Sequence, residues 1–241
     1  MDEYILITGA SGKIGRTLAK SLSHNYQLIL CGTNEEKLGE VHRTCGDGKH
    51  IIWNCDLSKT ENIAESLERI IRDNAAKVSG FVHLAGIAPL MPLHMISVAE
   101  MKKIMDVNLF SAVEISKVLV KKKVNSKYLK NIVLVSSISS IVGTKGMSIY
   151  SASKGAIDAF ARSLAHELAP GVRVNTVLPG GMLVSDDDFV QNHGGDSDSG
   201  YLLGAGHVED ISSMIEYLLS TKAKWITGQN FVVDGGRTFH Y

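Results

Sequence analysis

The stretch "YSASK" (150–154) places a phenol and an amine four residues apart, on Tyr150 and Lys154. On a helix that spacing puts both on one face, with β-carbons about 5–6 Å apart. A free tyrosine titrates near about 10 and is a poor acid–base catalyst at neutral pH. A cation about 4 Å away, at an effective dielectric near 20, is worth ~4 kcal/mol, which is about 3 pKa units. The pair is therefore expected to move protons near the working pH. The plain alternative is a packed tyrosine beside a solvated amine. Ser137, closing the apolar run "NIVLVSS" (131–137), would bind a substrate oxygen and steady developing alkoxide charge. Asn108, expected in mid-helix, would hold a water that relays protons through Lys154.

A second constellation precedes it. In "TGASGKIG" (8–15), Gly9 allows a tight turn, Ala10 and Ser11 leave the backbone open, and Gly15 permits close helix packing. Lys13 and Ile14 open the helix, whose N–H groups and dipole favour a pyrophosphate. Further on, "LCGTNEEK" (30–37) puts Gly32 and Thr33 where an NAD-selective site carries an acid. A 2′-phosphate would meet no fixed repulsion there, and Thr33, Asn34 and Lys13 could donate to it. NADP(H) is thus expected, with NAD(H) left open because no arginine stands at Thr33 and Glu35 or Glu36 could turn toward the ribose. In "NCDLS" (54–58), Asp56, with Leu57 beside it, could accept the adenine amino group, or instead cap a helix starting near Thr60.

Strand-length apolar runs alternate with helical segments. The expected strands are 4–8, 27–31, 50–53, 80–86, 131–137, 172–178 and 230–234, and the expected helices include 97–123 and 148–169. Runs such as "LILC" and "IVLV" are apolar on both faces, which suits parallel strands covered on each side. The expectation is one α/β domain over 1–241, a doubly wound Rossmann fold with a mainly parallel seven-stranded sheet and helices on both faces. The polar, acidic stretch within 183–205 is expected to be a flexible substrate loop, the alternative being a solvated surface loop.

Composition narrows the classes. Of 241 residues, 44 % are hydrophobic and 21 % charged, and 25 basic residues balance 25 acidic ones, which argues for a compact globule and against a nucleic-acid or membrane surface as partner. No apolar stretch approaches a bilayer span and "MDEYILITGA" lacks a basic leader, so a cytoplasmic protein is expected. Cys31, Cys45 and Cys55 form no CxxC and are expected as free thiols. No His/Cys/Asp cluster has metal spacing, so no metal is expected.

Taken together, "TGASGKIG", "CDLS", "HLAG" (83–86), Asn108, Ser137, "YSASK", "RVNTVLPGG" (173–181) and "ITGQNFVVDGG" (226–236) resemble the short-chain dehydrogenase/reductase family over nearly the whole chain. Within it the chain is most like the 3-oxoacyl-[acyl-carrier-protein] reductases. The resemblance implies a Ser137–Tyr150–Lys154 triad supported by Asn108. It also implies cofactor contacts at Ala85, Gly86, Pro179, Gly180 and the Met182 backbone, with Lys154 on the nicotinamide ribose. A homotetramer or homodimer, packed through 97–123, 148–169 and the C-terminal strand, is implied too. The chain departs from the family at Gly12-Lys13, at His83-Leu84, at Val184 and in its short acidic loop. That loop would repel an acidic carrier, whereas Lys121, Lys122, Lys123, Lys127 and Lys130 could dock one or simply be a solvated helix end. The activity implied is interconversion of a carbonyl and a secondary alcohol, with a 3-oxoacyl thioester, free or bound to acyl-carrier-protein, as one candidate substrate. The alternatives are a dehydrogenase of a sugar, steroid or other small alcohol, and a catalytically silent nucleotide sensor.

Overall fold

The structure, a computed structural model, describes residues 3–181, 200–204 and 206–240. Met182, Val184 and most of the 183–205 stretch lie outside the described residues.

The chain alternates strand and helix: β1 (Glu3–Thr8), α1 (Lys13–Leu22), β2 (Gln27–Gly32), α2 (Glu35–Thr44), β3 (Ile51–Asn54), α3 (Ile63–Asp73), β4 (Lys77–His83). Then follow α4 (Val98–Met105), α5 (Ser111–Val120), α6 (Lys122–Asn125), β5 (Asn131–Val135), α7 (Ser148–Leu168), β6 (Arg173–Pro179), α8 (Val208–Leu219) and β7 (Asn230–Val233). The seven strands form one sheet in the order β3-β2-β1-β4-β5-β6-β7, and every neighbouring pair is parallel. The order reverses between β1 and β4, and a crevice opens at such a point beyond the carboxyl ends of the strands. The expected single-domain doubly wound fold is therefore the one observed.

Side chains alternate across the strands and split the core in two. Ile5 and Ile7 face one layer with Leu18, Leu38 and Ile215, whereas Leu6 faces the other with Leu67, Ile115 and Ile157. Full burial of each such side chain contributes about 1.5–3 kcal/mol. This two-faced covering is why the strands read as continuous apolar runs.

The segment expected as one helix over 97–123 is helical from Val98 to Val120, with a π turn inside it, and ends at Lys121. Ser97 and Glu100 form a capping box that starts α4, a π turn occupies Asp106–Phe110, α5 follows, and the chain bends at Lys121 before α6. Asn108 sits in the π turn, not in regular helix, with its side chain tied to another segment. Such turns occur where a side chain draws the helix out of register.

Candidate active site

A pair of adjoining cavities opens beyond the carboxyl ends of the central strands. The first, about 510 Å³, is lined by Gly9, Ser11, Thr33, Asp56, Leu57, Ala85, Gly86 and Lys103, among others. The second, about 200 Å³, is lined by Ile14, Gly86, Ser137, Tyr150, Lys154, Pro179 and Gly180, among others. Gly86 belongs to both. Of the candidate catalytic and cofactor-binding residues singled out in the sequence, and among the described residues, Lys13, Gly15 and Asn108 line neither cavity.

The first cavity is shaped by backbone. Gly9 has φ +65°, and a Cβ there would stand 2.9 Å from Ala85 N; a Cβ on Gly15 would stand 2.4 Å from Gly9 O. Only glycine fits either position, so the β1–α1 turn lies tight beneath the cleft. α1 begins after Gly12 with no side-chain cap and no acidic residue in its first turn, which leaves its leading N–H groups for an anion. Arg16 braces the loop: its Nε donates to Ser11 O at 2.9 Å and its Nη1 pairs with Glu40 at 3.0 Å. These features fit the diphosphate of a dinucleotide.

Asp56 at the far end accepts hydrogen bonds from Ser58 N (3.0 Å) and Ser58 Oγ (2.7 Å), which hold its carboxyl below the usual carboxylate range. It makes a local turn. The short helical turn at Thr60 starts after Lys59, without a side-chain cap, so the capping alternative for Asp56 is not realised. At the β2 end, Asn34 Oδ1 accepts Lys37 N at 2.8 Å as the cap of α2, so Glu35 and Glu36 lie in the first turn of that helix. Lys103, from α4, lines this cavity and lowers the Asp56 pKa; nothing in its sequence context marks it.

The second cavity is shaped by buried side chains. β5 ends at Val135, and Ser137 starts a short turn, its Oγ accepting Ser139 N at 3.1 Å. Ser136 Oγ donates to Lys154 O at 3.1 Å and ties β5 to α7. Lys154 is 3 % exposed, and its Nζ donates to Val135 O at 2.8 Å. Burial pulls its pKa down to about 8, against the pull of the Asp158 carboxylate. Burial likewise pushes the Tyr150 phenol above its ordinary value, with the Ser137 hydroxyl working the other way.

The expected large drop in the tyrosine pKa beside a cation is therefore not found in this geometry. Lys154 Nζ stands 5.8 Å from the Tyr150 ring centroid and is turned to a carbonyl, and loss of solvent opposes the charged form of both groups.

Asn108 is fully buried. Its Oδ1 accepts Ile87 N at 2.8 Å, and its Nδ2 donates to Ile87 O at 3.1 Å and to Ser153 Oγ at 2.9 Å. Ser153 Oγ in turn donates to Tyr150 O at 2.7 Å. The side chain thus clamps the β4–α4 loop to α7; its amide is engaged by these partners and does not itself present a water site. One further residue, Asp158, escapes sequence reading, and His83 enters it only as a departure from the family pattern. Asp158 is buried one turn beyond Lys154, so Tyr150, Lys154 and Asp158 form a stripe at i, i+4, i+8. His83, facing Thr8 across β1 and β4, pairs through Nδ1 with Thr8 Oγ1 at 2.9 Å, and burial depresses its pKa to about 3.

Comparisons with known proteins place the chain in a family. A family model described as enoyl-(acyl carrier protein) reductase matches residues 9–238. A 3-oxoacyl-[acyl-carrier-protein] reductase of Rickettsia conorii is 32 % identical over 96 % of this chain and 95 % of its own. Among solved structures, 4-hydroxyisoleucine dehydrogenase complexed with NADH has a TM-score of 0.89 at 30 % identity, covering 98 % of this chain and 99 % of that one. A 3-oxoacyl-[acyl-carrier protein] reductase from Brucella melitensis has a TM-score of 0.85 at 25 % identity, covering 98 % and 91 %. With a glycine cradle at the β1–α1 turn and a serine, tyrosine and lysine gathered at its far end, the chain belongs to the short-chain dehydrogenase/reductase family of oxidoreductases.

Proposed function

We propose that this protein is an NADP(H)-dependent reductase that interconverts a carbonyl and a secondary alcohol through Tyr150, Lys154 and Ser137. The observation that carries the reading is their convergence, with Gly180, on one cavity that shares Gly86 with the dinucleotide-shaped cleft. Gly9, Ser11, Ile14 and the α1 N-terminus would hold the diphosphate, Thr33 and Asn34 the 2′-phosphate, and Asp56 the adenine. Pro179 and Gly180 would flank the nicotinamide. When bound, the nicotinamide supplies hydride to the carbonyl carbon or takes it back. Ser137 Oγ binds the substrate oxygen, and Tyr150 Oη gives it a proton. Lys154, whose pKa of about 8 lies near neutrality, passes protons inward and holds the ribose. Asn108 keeps Ile87 and Ser153 in place around that path, and any relay water beside it would rest on main-chain groups of the π turn.

The absence of an acid at Gly32 and Thr33 supports NADP(H), and Lys103 adds a cation to the same cleft. A 3-oxoacyl thioester is the favoured substrate because 3-oxoacyl reductases match across the whole length. A carrier-protein form of it finds less charge than the lysine count suggests: Lys121 pairs with Glu68 at 2.8 Å and Lys130 with Glu3. A small hydroxy-acid alcohol is the second reading, favoured by the likeness to 4-hydroxyisoleucine dehydrogenase. The chain would act as a homo-oligomer, since Phe110, Val120 and Trp225 expose apolar surface near the faces expected to pair. No described helix is long and apolar enough to cross a membrane.

The test is a fluorescence titration with NADPH and NADH, followed by turnover on carbonyls that include an acetoacetyl thioester. NADPH should bind more tightly and be consumed. Binding of neither dinucleotide would overturn the reading.

A further inference from the structure

Tyr201 follows the 182–199 segment in sequence, yet its hydroxyl accepts the Gly181 N–H at 2.9 Å. Its ring also lies against Gly180, where an added Cβ would stand 3.3 Å from Tyr201 Cε1 and 2.8 Å from Asp234 Cα. The same strip is fastened to the C-terminal turn. Gly180 N donates to Val233 O at 3.0 Å, Leu203 N donates to Gly235 O at 3.1 Å, and the Arg237 guanidinium lies 5.6 Å from the Tyr201 ring centroid. Asp234 shapes that turn by accepting Gly236 N at 2.9 Å and Thr238 N at 2.7 Å.

Two adjacent glycines give the backbone after β6 more conformational freedom than any other pair. Gly180 nevertheless forms part of the wall facing Tyr150 and Lys154. A wall of that composition keeps one shape only if something outside it does the holding. Tyr201 meets both glycines, by ring contact and by hydrogen bond, and is not among the residues lining the Tyr150 cavity. We propose that Tyr201 is a positioning residue that fixes the Gly180–Gly181 peptide against the C-terminal turn, and so preorganises the end of the cleft that receives the nicotinamide half of the cofactor. The ligand assignment rests on the function proposed above; the restraint itself does not. A preformed wall lowers the ordering cost of binding, so its loss should appear in affinity for the half of the ligand that touches it.

Tyr201→Phe keeps the ring and removes the hydroxyl. Three measurements decide the matter: amide exchange at Gly181, affinity for NADPH, and affinity for 2′-phospho-ADP-ribose, which lacks the nicotinamide. Loss of one neutral hydrogen bond corresponds to about a two- to tenfold change. The variant should exchange the Gly181 amide at least several-fold faster. It should bind NADPH two- to tenfold more weakly by the same estimate and 2′-phospho-ADP-ribose unchanged, with a raised cofactor KM and an unaltered pH profile of kcat. Unchanged Gly181 exchange, or equal weakening of both ligands, would overturn the proposal. If the wild type bound no dinucleotide, the functional reading would fall, while Gly181 exchange would still decide the restraint.

Discussion

The two ends of the cleft are made in opposite ways. The glycine-turn end is defined by side chains that are missing: Gly9 and Gly15 leave no room for a Cβ, and Arg16 braces the loop by gripping Ser11 and Glu40. The far end is defined by side chains that are present and deprived of water, with Lys154 and Asp158 buried on one helix face and His83 buried within electrostatic reach of Lys154. Backbone cradles bind charge through fixed dipoles and need no titration. Buried ionisable groups do chemistry because burial has moved their pKa values. The difference separates recognition from reactivity within one crevice.

That separation can be broken or sharpened by substitution. Tyr150→Phe should lower turnover by about 10²–10⁴-fold, the range for loss of a positioned acid, while NADPH titrates as in the wild type; loss of binding instead would merge the two ends.

Lys154→Met should change pH dependence. The folded pKa of about 8 lies below the ordinary 10.5, so between those values the unfolded chain binds more protons. Stability contributed by this group therefore rises with pH across that window and is lowest below it, by about 3 kcal/mol. Urea melts without cofactor, taken as wild type minus variant from pH 8 upward, should show that rise; a flat difference would contradict a lysine strained by burial.

Gly15→Ala should cost about 1–3 kcal/mol of stability through overpacking and weaken dinucleotide binding, read by thermal melting and titration, with the pH profile of any residual turnover unmoved. Thr33→Asp should have the smallest effect, shifting the NADPH/NADH affinity ratio toward NADH by about tenfold, or ~1.4 kcal/mol, without altering kcat on a saturating cofactor.

The same contrast explains what the sequence disclosed. The fold was legible because apolar runs on both strand faces leave few architectures open, and the order of seven such runs with helices between them matches the observed sheet. The glycine turn was legible because a steric requirement leaves its mark in residue type. The Tyr150–Lys154 pair was visible from spacing, but its electrostatics were not: the sequence does not show that Lys154 Nζ turns to Val135 O or that both groups lose solvent. Asp158 could have been found by extending the i+4 stripe one more turn. Lys103 could not, since its place beside Asp56 at the cleft depends on where the tertiary fold sets α4. The sequence puts Asn108 within a helix but does not show its π turn, which goes with a tertiary contact, here Ile87.

Gly86 is a shared floor. It borders the dinucleotide cleft on one side and the Tyr150 chamber on the other, and a Cβ on it would come within 3.3 Å of Lys154 Nζ and 3.5 Å of Asn108 Oδ1. An alteration at this one residue is felt twice, so selection for a bulkier or smaller guest in either compartment cannot use it without disturbing the other. Divergence toward new substrates must instead come from walls that belong to a single compartment.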